Sequence, residues 1–145
     1  MDWRREAKND LRDLPYIEHC IKVYPKQIQA LEADYVSLKG CATDSSPVQG
    51  GANGREDSLI NNIVKREKLK RNYDAALMRY NIILSAFNLL TDEQKMILDR
   101  FYIHRQFNHV EKLCEDLNIE QSHVYRKKDA ALDLFTKAMY GFTEY

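Results

Sequence analysis

Apolar side chains recur at Leu14, Ile17, Ile21, Tyr24, Ile28, Leu31, Tyr35 and Leu38, in alternating steps of three and four. That spacing keeps a single stripe on one side of a helix, whereas a strand, with its period of two, would scatter the same residues over both faces. A stripe this long and narrow is the seam of a helix that lies on another helix. Pro25 falls inside the run and removes a backbone donor, which predicts a kink or a break into two shorter helices sharing one face.

A second seam follows at Leu59, Ile63, Tyr73, Leu77, Tyr80, Leu84 and Phe87, with Arg66 and Lys70 at the intervening seam positions. Between the two runs, residues 40–54 hold four of the five glycines together with Thr43, Asp44, Ser45, Ser46 and Pro47. Such a composition buries little and reads as a mobile loop over 40–57. The simplest arrangement folds the second helix back antiparallel on the first, but another subunit could equally complete either seam. Both arrangements satisfy the pattern.

Beyond Leu90 the signals change. Thr91 followed by Gln94 forms the signature of a capping box, in which each residue satisfies a free N–H of the other's turn. The helix it opens carries Met96, Ile97, Phe101 and Tyr102 and should end near His104. Asn108 and Glu111 repeat the signature ahead of a short helix bearing Val110, Leu113, Cys114 and Leu117. A last helix is expected from about Glu120 to Tyr140. The predicted fold is all-α: a coiled-coil-like helical hairpin over 1–90, followed by a helix-turn-helix domain over 91–145.

The totals bound what such a chain can be. Its 145 residues suit one ordinary domain, or a small domain with a helical extension. With 44% hydrophobic residues, 30% charged, five Gly and three Pro, the composition is that of a folded, helix-rich protein. The formal net charge is zero, so any affinity for nucleic acid has to come from local charge. Cys20, Cys41 and Cys114 are odd in number and without CxxC spacing, which argues against a disulfide framework or a zinc finger and suits a reducing cytoplasm. The charged N-terminus resembles no signal peptide, and no stretch has the apolar length of a membrane span.

The functional signal lies between Asn108 and Leu132, where a short helix, a tight turn at Leu117-Asn118-Ile119 and a longer helix have the proportions of a helix-turn-helix. A turn this tight calls for a residue at positive φ, and Asn is the commonest after Gly to tolerate it, which singles out Asn118. Ile119, Val124 and Ala131 are then expected to face inward against Val110, Leu113 and Leu117. Gln121, Ser122, Tyr125, Arg126 and Lys128 are left on the outward side. Gln and Arg can hydrogen-bond bidentately to adenine and guanine edges, Ser can reach a base or a phosphate, and Lys127 and Lys128 can neutralise phosphates. Two features oppose an anionic ligand: Glu120 stands at the helix start, and from Thr91 onward ten acidic residues face eight basic ones.

Other clusters read more plainly. The run from Val64 to Arg71 is either a second phosphate-contacting surface or a solvated helix face. His104, His109 and Cys114 lack the register of a helical metal site, so no metal is expected. His123 is either a surface residue or a phosphate contact. Of the nine tyrosines, Tyr24, Tyr35, Tyr73 and Tyr80 lie on the seams, where packing explains them. No Gly-rich phosphate loop, nucleophile turn or paired-carboxylate motif is present, so neither an enzyme nor a cofactor is expected.

The stretch LTDEQKMILDRFYIHRQFNHVEKLCEDLNIEQSHVYRKKDAALDLF resembles region four of bacterial sigma factors and, more closely, the C-terminal part of phage regulators of the ArpU and RinA type. The preceding helix, the loop from Ser46-Pro47 through Gly54 and the second charged helix are similar to the organisation of those proteins. The resemblance implies a phage or prophage transcriptional regulator of late genes, acting in the bacterial cytoplasm, whose last helix enters the major groove of promoter DNA. It places Gln121, Ser122, Tyr125 and Arg126 at base edges, and His123, Lys127 and Lys128 nearer the backbone. A homo-oligomer and a contact with host RNA polymerase accompany that reading. Two alternatives stay open: a small terminase-like subunit for DNA packaging, and a module that binds RNA polymerase without reading DNA.

Overall fold

The structure, a computed structural model, describes residues 1–40 and 51–141, with side chains from 54 onward in the second stretch. Among these residues it is all-helical, with five α-helices and no strand. They are α1 (Trp3–Gly40), α2 (Gly51–Phe87), α3 (Asp92–Leu98), α4 (His109–Leu117) and α5 (Gln121–Tyr140), with a π-helical turn, Asp99–Ile103, continuing α3. No described helix is long and apolar enough to cross a membrane.

Two expectations for the N-terminal half are corrected. Helix α1 starts at Trp3 and continues through both Pro15 and Pro25, so the predicted break at Pro25 is absent. A proline costs one ladder bond, and the apolar seam on either side of it holds both segments in a single helix. The predicted loop over 40–57 lies partly outside the described residues, at 41–50, as do Cys41 and the Ser46-Pro47 pair. From Gly51 the chain is already helical. Arg55 anchors that first stretch by donating from Nε and Nη2 to the Leu38 carbonyl at 3.1 and 3.0 Å, while Ser58 Oγ donates to the Gly54 carbonyl at 2.8 Å.

The chain divides into two compact units, Met1–Ile17 with Arg79–Tyr145, and Glu18–Met78. In the second of these, Asn62 Nδ2 donates to the Leu31 carbonyl at 2.8 Å, and Leu38 stands opposite Arg55. The two helices therefore run in opposite directions there. The seam on α1 is the predicted one, half-buried at Ile21, Tyr24, Ile28, Leu31, Tyr35 and Leu38. On α2 the predicted positions Leu59, Arg66, Tyr73 and Leu77 are half-buried, while Ile63 and Lys70 are exposed and Asn62 and Leu69 turn inward in addition. Asn62 is buried and Arg66 lies over the Tyr35 ring at 4.7 Å, so the seam holds polar residues among its apolar ones.

The other unit holds the core. Ala7, Leu11, Leu14 and Ile17 of α1 are buried in it, as are Ile83 and Ala86 of α2, Leu98, and Ala131, Leu132 and Phe135 of α5. Polar contacts bind its parts: Arg4 pairs with Asp133, Arg79 reaches Asp10 and Asp13 at 3.0 Å each, and the Tyr140 hydroxyl donates to Asp10. Trp3 and Tyr140 pack ring on ring with centroids 4.9 Å apart. Burial works against the Arg79 charge, yet the hydrogen bonds to Asp10 and Asp13 hold its pKa above the ordinary value.

Candidate functional site

The segment from Thr91 to Tyr140 builds one exposed helical face, starting from its caps. Thr91 Oγ1 accepts from the Gln94 N–H at 3.3 Å and Gln94 Oε1 accepts from the Thr91 N–H at 3.0 Å, which is the predicted capping box. The π-helical turn brings the His104 N–H to the Asp99 carbonyl at 2.7 Å and the His104 ring to the Asp99 carboxylate, also at 2.7 Å. Asn108 does not cap α4 as expected. It sits in the left-handed region, with φ 56° and ψ 34°, and its side chain makes no capping bond. Its contribution is backbone conformation, a short polar residue tolerating a bend that other side chains resist.

Asn118 ends α4 in the same region, with φ 53° and ψ 49°, as the turn requires. The N–H groups of Asn118 and Ile119 both return to the Cys114 carbonyl, the latter at 3.2 Å, closing the helix end in a Schellman-like pattern. Glu120 is extended, with φ −74° and ψ 157°, and its side chain caps nothing. Its carbonyl accepts from His123 and Val124 at 3.0 and 3.1 Å and so starts α5.

What fixes α5 is a cluster of Ile97, Phe101, Leu113 and Val124, with Met96, Tyr102, Val110, Cys114, Leu117 and Ile119 packed around it. Val124 is 0% exposed. Inward placement of Ile119 and Val124 against Val110, Leu113 and Leu117 thus agrees with the sequence, and Ala131 is also fully buried but stands outside this cluster. The Phe101 ring takes the edges of His109 at 4.7 Å and Tyr125 at 6.0 Å.

With Val124 held inward, Gln121, Ser122, His123, Tyr125 and Arg126 around it are exposed. The two lysines differ from the expectation of free phosphate contacts. Lys127 pairs with Glu93 across to α3 at 2.5 Å. Lys128, expected outward, turns back so that its side chain is only 18% exposed; its ammonium lies 5.6 Å from the Phe101 and Tyr125 rings and 3.0 Å from Asp129. Aromatic faces and a neighbouring carboxylate offer this cation more than solvent alone does. Tyr102 stands close by, and burial raises its phenol pKa although Lys128 pulls it down.

Two hollows flank this face. One, lined by Cys114, Asn118, Ile119, Glu120 and His123, lies at the turn between α4 and α5. The other is lined by Asp99, Arg100, His104, Lys112 and Asp116 among others, and in its wall Arg100 pairs with Asp116 and His104 with Asp99. Among the described residues no group of three His, Cys, Asp or Glu side chains is placed to hold a metal ion. No protein-family model matches the chain, and neither a curated protein nor a solved structure matches it.

Proposed function

We propose that the chain is a sequence-specific, double-stranded-DNA-binding transcriptional regulator of phage or prophage type, in which α4, the Asn118 turn and α5 act as a helix-turn-helix. The observation that carries this reading is the division of α5: Val124 is wholly buried, while Gln121, Ser122, Tyr125 and Arg126 in the same first turns are exposed. These are side chains that hydrogen-bond to base edges and phosphates, and they stand at the N-terminal end of a 20-residue helix, the end that such helices present to the major groove. In this reading Gln121 and Arg126 read bases, Ser122 and Tyr125 support them, and His123 lies toward the backbone. Lys127 and Lys128 chiefly brace the helix, through Glu93 and the Phe101–Tyr125 ring pair.

Association through α1 and α2 completes the proposal. Among the described residues of Glu18–Met78 only Asn62 is buried, while Ile60 and Val64, one turn apart on α2, are 56% and 53% exposed. A second copy covering that stripe would supply burial that this two-helix unit lacks. A dimer would also present two copies of α5 to paired half-sites.

The test is binding of the full chain to duplex fragments tiled across its neighbouring genomic DNA, at several salt concentrations, with Arg126→Ala alongside. A fragment-specific complex, weakened by about 1 to 3 kcal/mol and less discriminating in the variant, is the expected result. Equal, weak binding to every fragment, unchanged by the substitution, would overturn it in favour of a module that binds RNA polymerase. Ring-sized oligomers in solution would point instead to a DNA-packaging subunit.

A further inference from the structure

We propose that Arg12 of α1 and Arg105, just past the π-helical turn, form a phosphate-holding groove on the flank of α5, so that the first helix helps to grip the nucleic-acid backbone. The proposal rests on the DNA-binding reading above and extends it to a helix whose sequence pattern speaks only of packing.

The groove is open, about 420 Å³, and is lined by Arg12, Pro15, Tyr16, Tyr102, Ile103 and Arg105 among others. Both arginines are exposed, and among the described residues neither pairs with a carboxylate. The carboxylates beside Arg12 are already engaged: Asp13 holds Arg79, and Asp10 is held by Arg79 and Tyr140. The Arg12 guanidinium lies over the Tyr102 ring at 5.8 Å, a contact that orients the cation and leaves its charge uncancelled. Tyr16, 74% exposed on the groove wall, adds a hydroxyl able to donate to an anionic oxygen.

Charge selects the occupant. Tyr102 stands 6.1 Å from the buried Phe101, whose ring lies 6.0 Å from that of Tyr125 on α5, so the groove wall and α5 rest on one core ring. The recurring charge of a duplex is the phosphodiester. Two unpaired guanidinium groups beside apolar and aromatic neighbours fit that anion, because Arg forks match the geometry of phosphate oxygens.

The experiment measures binding of the full chain to its best genomic duplex and to an unrelated duplex, over a series of salt concentrations, for wild type, Arg12→Gln/Arg105→Gln and Arg12→Lys/Arg105→Lys. Circular dichroism confirms that each variant is folded. The expected result is that the glutamine pair loses affinity for both duplexes by a similar factor and lowers the salt slope by about 2, one for each phosphate contact, while the lysine pair keeps the slope. Wild-type binding with an unchanged slope in the glutamine pair would overturn the groove and leave the α5 reading standing. Loss confined to the genomic duplex would overturn the phosphate assignment, since phosphate contacts carry no sequence preference. Capture of a Glu-rich peptide, lost in the glutamine pair while duplex binding is unchanged, would give the groove to an acidic protein segment. No binding of wild type to either duplex would overturn this proposal and the function it rests on together.

Discussion

Asn118 and Asn108 show how much a single backbone conformation contributes to this molecule. Both are at positive φ, 53° and 56°, and with Gly141 they are the positive-φ positions among the described residues. A Cβ-bearing residue without a short polar side chain is strained there, so Asn118→Ala should cost about 1 kcal/mol, while Asn118→Gly should stay within about 0.5 kcal/mol of wild type, read from urea unfolding midpoints. Tyr140 makes a second residue-scale case. Burial and its hydrogen bond to Asp10 raise its pKa well above the ordinary phenol range. The protonated form is the one the fold favours, so this contribution is fully present below the unfolded pKa of about 10 and is lost as pH climbs from there toward the folded value. Urea midpoints measured between pH 8 and 11 should therefore fall less steeply in Tyr140→Phe, which should also be less stable at neutral pH by about 1 kcal/mol. At this scale Asn118 was legible in the sequence because turn and residue type agree. Asn108 was legible as a helix start but not in its role, since Asn serves as a cap and as a left-handed residue equally well.

Packing between elements decides which face of α5 is available. Leu113 of α4 is 0% exposed in the cluster that holds Val124, so Leu113→Ala should cost about 2 to 5 kcal/mol, visible as a lowered thermal midpoint. In the Glu18–Met78 unit the buried polar residue gives the opposite sign. Asn62 donates to the Leu31 carbonyl, while its Oδ1 is buried with no hydrogen-bond partner. Asn62→Leu should leave the thermal midpoint unchanged or raise it, because the carbonyl keeps its place in the α1 ladder and an unpaired buried oxygen is removed. A clear fall in the midpoint would mean that the amide is worth more than the packing a leucine supplies. The α1 seam was legible because its stripe is uniformly apolar. The α2 seam was legible too, except at Ile63 and Lys70, which are exposed, and at Asn62, a buried polar residue that an apolar count passes over.

Taken as a whole, the chain distributes its burial unevenly. Among the described residues, Phe135, Leu11, Ile83, Ile97, Leu98, Leu113, Leu132 and Val124, the large fully buried apolar ones, all belong to the unit formed by Met1–Ile17 and Arg79–Tyr145. The described residues of Glu18–Met78 are half-buried or exposed, Asn62 apart. Local opening follows the density of buried contacts, so amide hydrogen exchange should be fastest, among helical residues, between Glu18 and Met78 and slowest around Leu113, Val124 and Phe135. If a second copy covers the Ile60–Val64 stripe, protection of that unit should rise with protein concentration. Protection as high there as in the core, and independent of concentration, would count against association through this unit.

The sequence by itself determined that the chain is helical, where α3 and α5 begin, that Asn118 turns the chain between α4 and α5, and that Val124 faces inward while Gln121, Ser122, Tyr125 and Arg126 are exposed. Each of these follows from a local period, a cap or a φ requirement carried by residues within a turn or two of one another. Tertiary structure alone decided the pairing of Lys127 with Glu93, the turning of Lys128 onto Phe101 and Tyr125, the burial of Asn62, and the meeting of Arg12 with Tyr102 and Arg105 around one groove. Tyr125 aside, these partners lie 27 to 93 residues apart and are set by which helices pack together, and neither periodicity nor residue type encodes which distant charge or ring a side chain will meet.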